Sequence, residues 1–116
     1  MPKPPTVPGL QDRLPAERLA FAAQVLKLIA HPGKLAILQH LYLQGETSVN
    51  DLVRVVGLSQ PLISHHLANL KEGGVVACRR EGQSMLYRLE LYEVSSVLEC
   101  MAHCRIPNPN GTVTPD

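Results

Sequence analysis

Only three residues, Gly57-Leu58-Ser59, separate two amphipathic segments, and this short link sharply limits what the chain can fold into. Upstream, Val49, Leu52, Val53 and Val56 recur at helical spacing until Gly57 stops the run. Ser48-Val49-Asn50-Asp51 opens that segment as a capping box, with a serine hydroxyl to accept from the third amide and an acid to reach back. Downstream, Ser59 is a capping residue, Pro61 suits a first helical turn, and Ile63, Leu67 and Leu70 line one apolar face until Gly73-Gly74. Two helices joined this tightly form a helix-turn-helix.

The flanking segments complete a small mixed fold. A first helix is expected from Pro15 to about Ala30, with Leu19, Ala22, Ala23, Leu26 and Ile29 on one stripe and Phe21, Val25 and Leu28 on another. A helix that is apolar on two sides needs two partners, and a chain of 116 residues offers one core, so a second subunit is the natural second partner. His31-Pro32-Gly33 breaks that helix, and the next runs from Lys34 to about Leu43 and stops at Gly45. Two strand-like runs, Val75 to Arg80 and Ser84 to Leu89, are joined by Glu81-Gly82-Gln83 as a hairpin. A last helix, about Leu91 to Cys104, carries Val94, Val97, Leu98 and Met101 on one face. The expected class is mainly α with a small β-hairpin, a winged helix-turn-helix with four helices, the hairpin and a fifth helix.

Seven of the ten prolines lie outside residues 14–104, so residues 1–13 and 105–116 read as flexible tails around one folded domain. Hydrophobic residues make up 45% of the chain, enough for a core, yet no apolar run reaches the ~20 residues that span a bilayer. The N-terminus also lacks the apolar segment of a signal peptide, and three cysteines are an odd number for a disulfide framework. A cytoplasmic protein with reduced thiols and no membrane partner is expected. The net charge is only +1, but its distribution is uneven. Residues 53–89 hold five basic and two acidic side chains, whereas residues 90–104 hold three glutamates and no Lys or Arg.

The helix after the tight link has an unusual outer face. With Ile63 as the buried centre and ~100° per residue, Pro61, Ser64, His65 and Ala68 fall opposite, and Gln60 and Lys71 fall at the edge. A solvated face ordinarily carries several Lys and Glu, and here none stands between Ser59 and Leu70. Small and polar groups permit close approach to base edges in a major groove and supply donors and acceptors there. His66 lies nearer the core and is read as a packing or orienting residue, and His31 and His40 as isolated packing or surface residues. Arg79, Arg80 and Gln83, at the hairpin tip, suit phosphate or minor-groove contacts. The DNA-binding set is therefore Ser59, Gln60, Pro61, Ser64, His65, Lys71, Arg79, Arg80 and Gln83.

His31-Pro32-Gly33-Lys34-Leu35-Ala36-Ile37-Leu38, followed by Leu58-Ser59-Gln60-Pro61-Leu62-Ile63-Ser64-His65-His66-Leu67 and Arg79-Arg80-Glu81-Gly82, resembles the ArsR/SmtB family of bacterial repressors. The resemblance spans about Leu14 to Cys104. It implies a homodimer joined through the first and last helices, recognition of an imperfect palindrome in double-stranded DNA, and release by a ligand or a chemical change. It also implies that Gln60, Pro61, Ser64 and His65 occupy the DNA-reading positions. The chain departs from the metal-sensing members, for no cysteine lies in Ser48–Val53 and no histidine in Leu91–Val94.

The remaining candidates for a sensed signal are Cys100, His103 and Cys104, spaced i, i+3, i+4 on the expected last helix. Thiolates suit soft ions such as Zn(II), Cu(I) or As(III), with His103 as a third ligand, and thiols can instead be oxidised or persulfidated. Within one helix a disulfide at this spacing is strained, because the two Cβ atoms project in parallel. Cys78, in the first strand, reads as structural. Two other functions fit parts of the chain: a winged-helix module for protein contacts, and a thiol enzyme using Cys100 and His103. The second lacks a Gly-rich loop or an acid–base cluster to support it. No catalytic residue is expected.

Overall fold

The computed structural model describes residues 12–107 and 113–114. In chain order they form α1 (Ala16–Ile29), α2 (Pro32–Gln44), β1 (Thr47–Ser48), α3 (Val49–Val56), α4 (Gln60–Glu72), β2 (Val76–Glu81), β3 (Ser84–Leu89), α5 (Val94–Ala102), β4 (Ile106–Pro107) and β5 (Val113–Thr114). This is the expected winged helix-turn-helix, and its boundaries differ from the sequence reading in instructive places.

The second helix starts at Pro32 rather than Lys34, because His31 caps it: Nδ1 accepts from the Gly33 N–H at 2.9 Å. Gly33 is buried, and a Cβ there would lie 2.9 Å from Leu58 Cδ1 and 3.1 Å from His66 Nε2. The glycine thus lets α2 seat its first turn against the α3–α4 link and the inner side of α4. Between α1 and α2 the chain bends by 100°, and among the described residues no single helix is long and apolar enough to cross a membrane.

Serine caps hold both helices of the tight pair. Ser48 Oγ accepts from the Asp51 N–H at 3.1 Å and Ser59 Oγ from the Leu62 N–H at 3.3 Å. The expected capping box is only half present, because the Asp51 carboxylate accepts from the Arg54 guanidinium at 2.8 Å instead. Gly57 takes φ 79°, the left-handed conformation that ends α3 and turns the chain into α4 within three residues.

The core is a single cluster. Ile37, Leu38 and Leu41 of α2, Leu52 of α3, Ile63, Leu67 and Leu70 of α4, and Val75, Val76, Leu89 and Val94 beyond are all buried, joined by Ile29 from the end of α1. The sheet has three strands rather than two, in the order β1-β3-β2 and antiparallel throughout. Thr47 pairs with Tyr87 and Ser48 with Leu86, so the segment before α3 anchors the hairpin to the helical body. A two-residue strand leaves no period in the sequence.

The last helix is shorter than expected, because its ends tighten. Ser95 and Ser96 donate to the carbonyls three residues back, as do His103 and Cys104 at the far end. In the segment read as a tail, β4 pairs antiparallel with β5.

His66 is the one buried histidine: it is 4% exposed, and neither ring nitrogen has a hydrogen-bond partner among the described residues. Its ring lies against His31, with centroids 4.5 Å apart. Burial holds its pKa below the ordinary histidine value, and the neighbouring His31, Lys34 and His65 add to the effect.

Two outcomes follow from this packing. Ile63→Ala removes a fully buried side chain and is expected to cost ~2–5 kcal/mol in denaturant unfolding. For His66 the unfolded chain binds the proton first, so stability is full above ~6.5 and falls as the pH drops below it toward the native pKa. Urea midpoints measured from pH 7.5 to 5.5 should decline less steeply in His66→Leu than in the wild type, and equal declines would rule the assignment out.

Candidate nucleic-acid interface

The outer face of α4 is open to solvent. Gln60, Pro61, Ser64, His65, Ala68 and Lys71 are exposed, as is the cap Ser59, while Ile63, His66, Leu67 and Leu70 point inward. Leu62, which the sequence reading left out, is 38% exposed and adds an apolar group of the kind that can meet a thymine methyl. The Asn69 amide nitrogen lies 3.3 Å from His65 Nε2. The contact holds the exposed His65 ring against the next turn of α4.

A cleft of about 270 Å³ opens between the start of α3, the start of α4 and the hairpin. Gln60 and Ser64 of α4 line it together with Gln83 of the hairpin, so three residues picked from distant stretches share one polar notch. Ser48, Asn50 and Ser84 also line it, and the sequence reading missed them because nothing local marks a helix start and a hairpin tip as neighbours.

The two hairpin arginines have different surroundings. Strand alternation sends successive side chains to opposite faces. Arg80 pairs in register with Met85, on the face that carries buried Val76 and Leu89 and turns toward the helices. Arg79 pairs with Leu86 on the other face. There its guanidinium forks onto Glu46, with Nε 3.2 and 3.0 Å from the two carboxylate oxygens and Nη2 2.8 Å from Oε1. Glu81 completes the cluster at 3.0 Å. The fork holds the Glu46 carboxyl below its usual range and raises Arg79 further. Arg80 and Lys71 are in no ion pair among the described residues.

The candidate sensor residues lie apart from this face. Cys78 is half-buried in β2 opposite Tyr87, whose phenol is pushed up by burial and by the neighbouring thiol. Cys100 is exposed on α5, whereas Cys104 lies beyond the end of that helix with its thiol 3.5 Å from the Arg105 carbonyl oxygen. The expectation that both thiols project from one helix is thereby corrected, and the parallel-Cβ constraint no longer applies. His103 is the residue that ends α5. Among the described residues no three His, Cys, Asp or Glu side chains are grouped to hold a metal ion, so Cys100, His103 and Cys104 do not form a site within one protomer.

A second exposed surface is apolar. In α1 only Ile29 is buried, and Leu19, Phe21 and Leu26 are each half exposed or more. Phe21, Ala22, Val25 and Leu26 form a groove with Leu91, Val94 and Val97 at the start of α5. Met101 is 61% exposed further along, and Tyr42 of α2 donates a 2.8 Å hydrogen bond to Glu99 that steadies α5.

This geometry has close counterparts. The family described as bacterial regulatory protein, arsR family, matches residues 31–77, from the cap of α2 into β2. The chain is 38% identical over 90 residues to the HTH-type transcriptional repressor SmtB of Mycobacterium tuberculosis, covering 77% of this chain and 66% of that protein, just under two thirds of its length. It is 33% identical to the HTH-type transcriptional regulator YgaV of Escherichia coli, covering 74% of this chain and 87% of that protein. The crystal structure of the transcriptional repressor BigR from Xylella fastidiosa superposes with a TM-score of 0.70 at 30% identity, over 78% of this chain and 93% of that one. With the helix-turn-helix, the hairpin and the polar cleft all accounted for, the chain belongs to the arsR family of bacterial regulatory proteins.

Proposed function

We propose that this protein is a cytoplasmic transcriptional repressor that binds a palindromic operator in double-stranded DNA as a homodimer and has no catalytic activity. The observation that carries this reading is the shared cleft of Gln60, Ser64 and Gln83 beside an exposed α4 face with no Lys or Glu between Ser59 and Leu70. In it, Gln60, Ser64 and His65 read base edges in the major groove, and Ser59 and Pro61 bring the start of α4 against the backbone. Lys71 and Arg80 neutralise phosphates, and Gln83 reaches the adjacent groove. The naming of SmtB and BigR as repressors agrees with it.

Dimerisation uses the α1–α5 surface. A 14-residue helix with one buried residue gains little from its own subunit, and a second copy would cover Leu19, Phe21 and Leu26. Two-fold symmetry then sets the α4 helices to read half-sites ~34–36 Å apart. Because α5 shapes that surface, chemistry at its end can bias the spacing, and a coupling of ~1–3 kcal/mol shifts operator occupancy several-fold. Cys100 and Cys104 are the thiols placed for this. Oxidation or persulfidation is favoured over metal binding, since a Zn, Cu or As ion would need ligands from both subunits.

The DNA reading is tested by fluorescence anisotropy with the region upstream of the protein's own gene against random duplex. The wild type should prefer one palindromic site. His65→Ala should cost ~1–3 kcal/mol there and relax base preference, and Arg80→Gln should weaken both duplexes alike. Equal affinity of the wild type for every sequence would defeat it. For the switch, the Cys100→Ser, Cys104→Ser double variant should stay on the operator under peroxide or polysulfide doses that release the wild type. Zn(II) and As(III) serve as parallel arms, and equal release of both proteins would clear the two thiols of any sensing role.

A further inference from the structure

We infer that Arg79 is a positioning residue, not a phosphate ligand: with Glu46 it ties the hairpin to the body at one angle, so that Arg80 alone of the pair meets DNA. The inference rests on the DNA-binding reading and deepens it.

The register determines the arrangement. Ser48, Leu86 and Arg79 stand side by side across β1, β3 and β2. Glu46 lies two residues before Ser48 and Glu81 two residues after Arg79, so both carboxylates share the arginine's face. To reach Glu46 the Arg79 side chain crosses the central strand, a span of two strand spacings or about 10 Å. The fork therefore links the outer edge of the hairpin to the chain segment leaving α2. The Glu46 side chain is 28% exposed and that of Arg79 50%, so the pair is partly shielded, and a bidentate fork fixes direction as well as distance.

A phosphate approaching Arg79 would meet a guanidinium already flanked by two carboxylates, each within 3.0 Å, which offset its charge and occupy Nε and Nη2. Arg80 faces no such competition among the described ion pairs, and its register partner Met85 lines the cleft that holds Gln60 and Ser64. The adjacent arginines thus divide the work. Arg79 is neutralised and spent on geometry, while Arg80 keeps its charge for the nucleic acid.

Salt dependence separates the roles, because each phosphate contact contributes about 0.9 to the slope of log K against log salt. Anisotropy titrations over a range of salt on the upstream duplex are the measurement. Arg80→Gln should lower the slope by about two, one contact from each subunit of the dimer, whereas Arg79→Gln and Glu46→Gln should weaken binding about three- to tenfold with the slope unchanged. In a Glu81→Gln background, which removes the second carboxylate facing position 79, the charge swap Glu46→Arg with Arg79→Glu keeps net charge and restores the pair, and should recover to within about threefold of the Glu81→Gln parent. Hydrogen exchange on the free protein adds a readout that needs no DNA, with the hairpin amides exchanging faster in Arg79→Gln and slow again in the swap. A drop in slope for Arg79→Gln, tighter binding by Glu46→Gln, or a swap no better than Arg79→Gln alone would overturn the inference and leave the DNA reading standing. If the wild type prefers no site while exchange still tracks the pair, the tie is purely structural and the DNA reading itself fails.

Discussion

The seat of the first turn of α2 against Leu58 and His66 governs the rest of the molecule. Leu58 sits in the link between α3 and α4, and His66 on the inner side of α4, so one contact fixes both the turn and the helix that follows it. A Cβ at Gly33 would press on the Leu58 and His66 side chains and force them to shift. His31 closes the contact from outside, capping α2 with one nitrogen and stacking its ring on His66. A core of Ile37, Leu38, Leu52, Ile63 and Leu67 then fills the space the seat defines. Because such interiors are close-packed, the outer face of α4 inherits its direction from this buried junction.

The legible parts of the sequence were those governed by local periodicity. Ile63, Leu67 and Leu70 on one side and Ser64 and His65 on the other are separated by helical geometry alone, so α4 and its two faces could be read directly. The capping serines and Gly57 were equally plain. What escaped the reading depends on residues far apart in the chain. His31 and His66 look unrelated until α2 and α4 pack. The Glu46–Arg79 fork spans 33 residues, and no rule of spacing connects a loop carboxylate with a strand arginine. At the end of α5 the apolar pattern continues past the point where the backbone bonds tighten, which is why Cys104 was read as helical.

Burial is distributed unevenly among the helices, and that has a physical meaning. α2, α3 and α4 give up their apolar faces to one another and to the sheet, whereas α1 contributes Ile29 and little more. Several of its remaining apolar side chains instead line a groove with Leu91, Val94 and Val97, an apolar surface that lacks the charged groups of the hairpin.

The hairpin loop carries a consequence of its own. Glu81 and Ser84 are the last paired residues, so only Gly82 and Gln83 lie between the strands. A turn of two residues permits a single alignment of β2 on β3, and a slip by one position would reverse every side chain on the strand. Arg79 would swing to the helices and Arg80 out toward Glu46, exchanging a neutralised cation for a free one without any change in composition. Loop length therefore acts here as an address for charge. A slip of one residue in that register would rewrite which arginine is available, although every residue of the original hairpin remained in place.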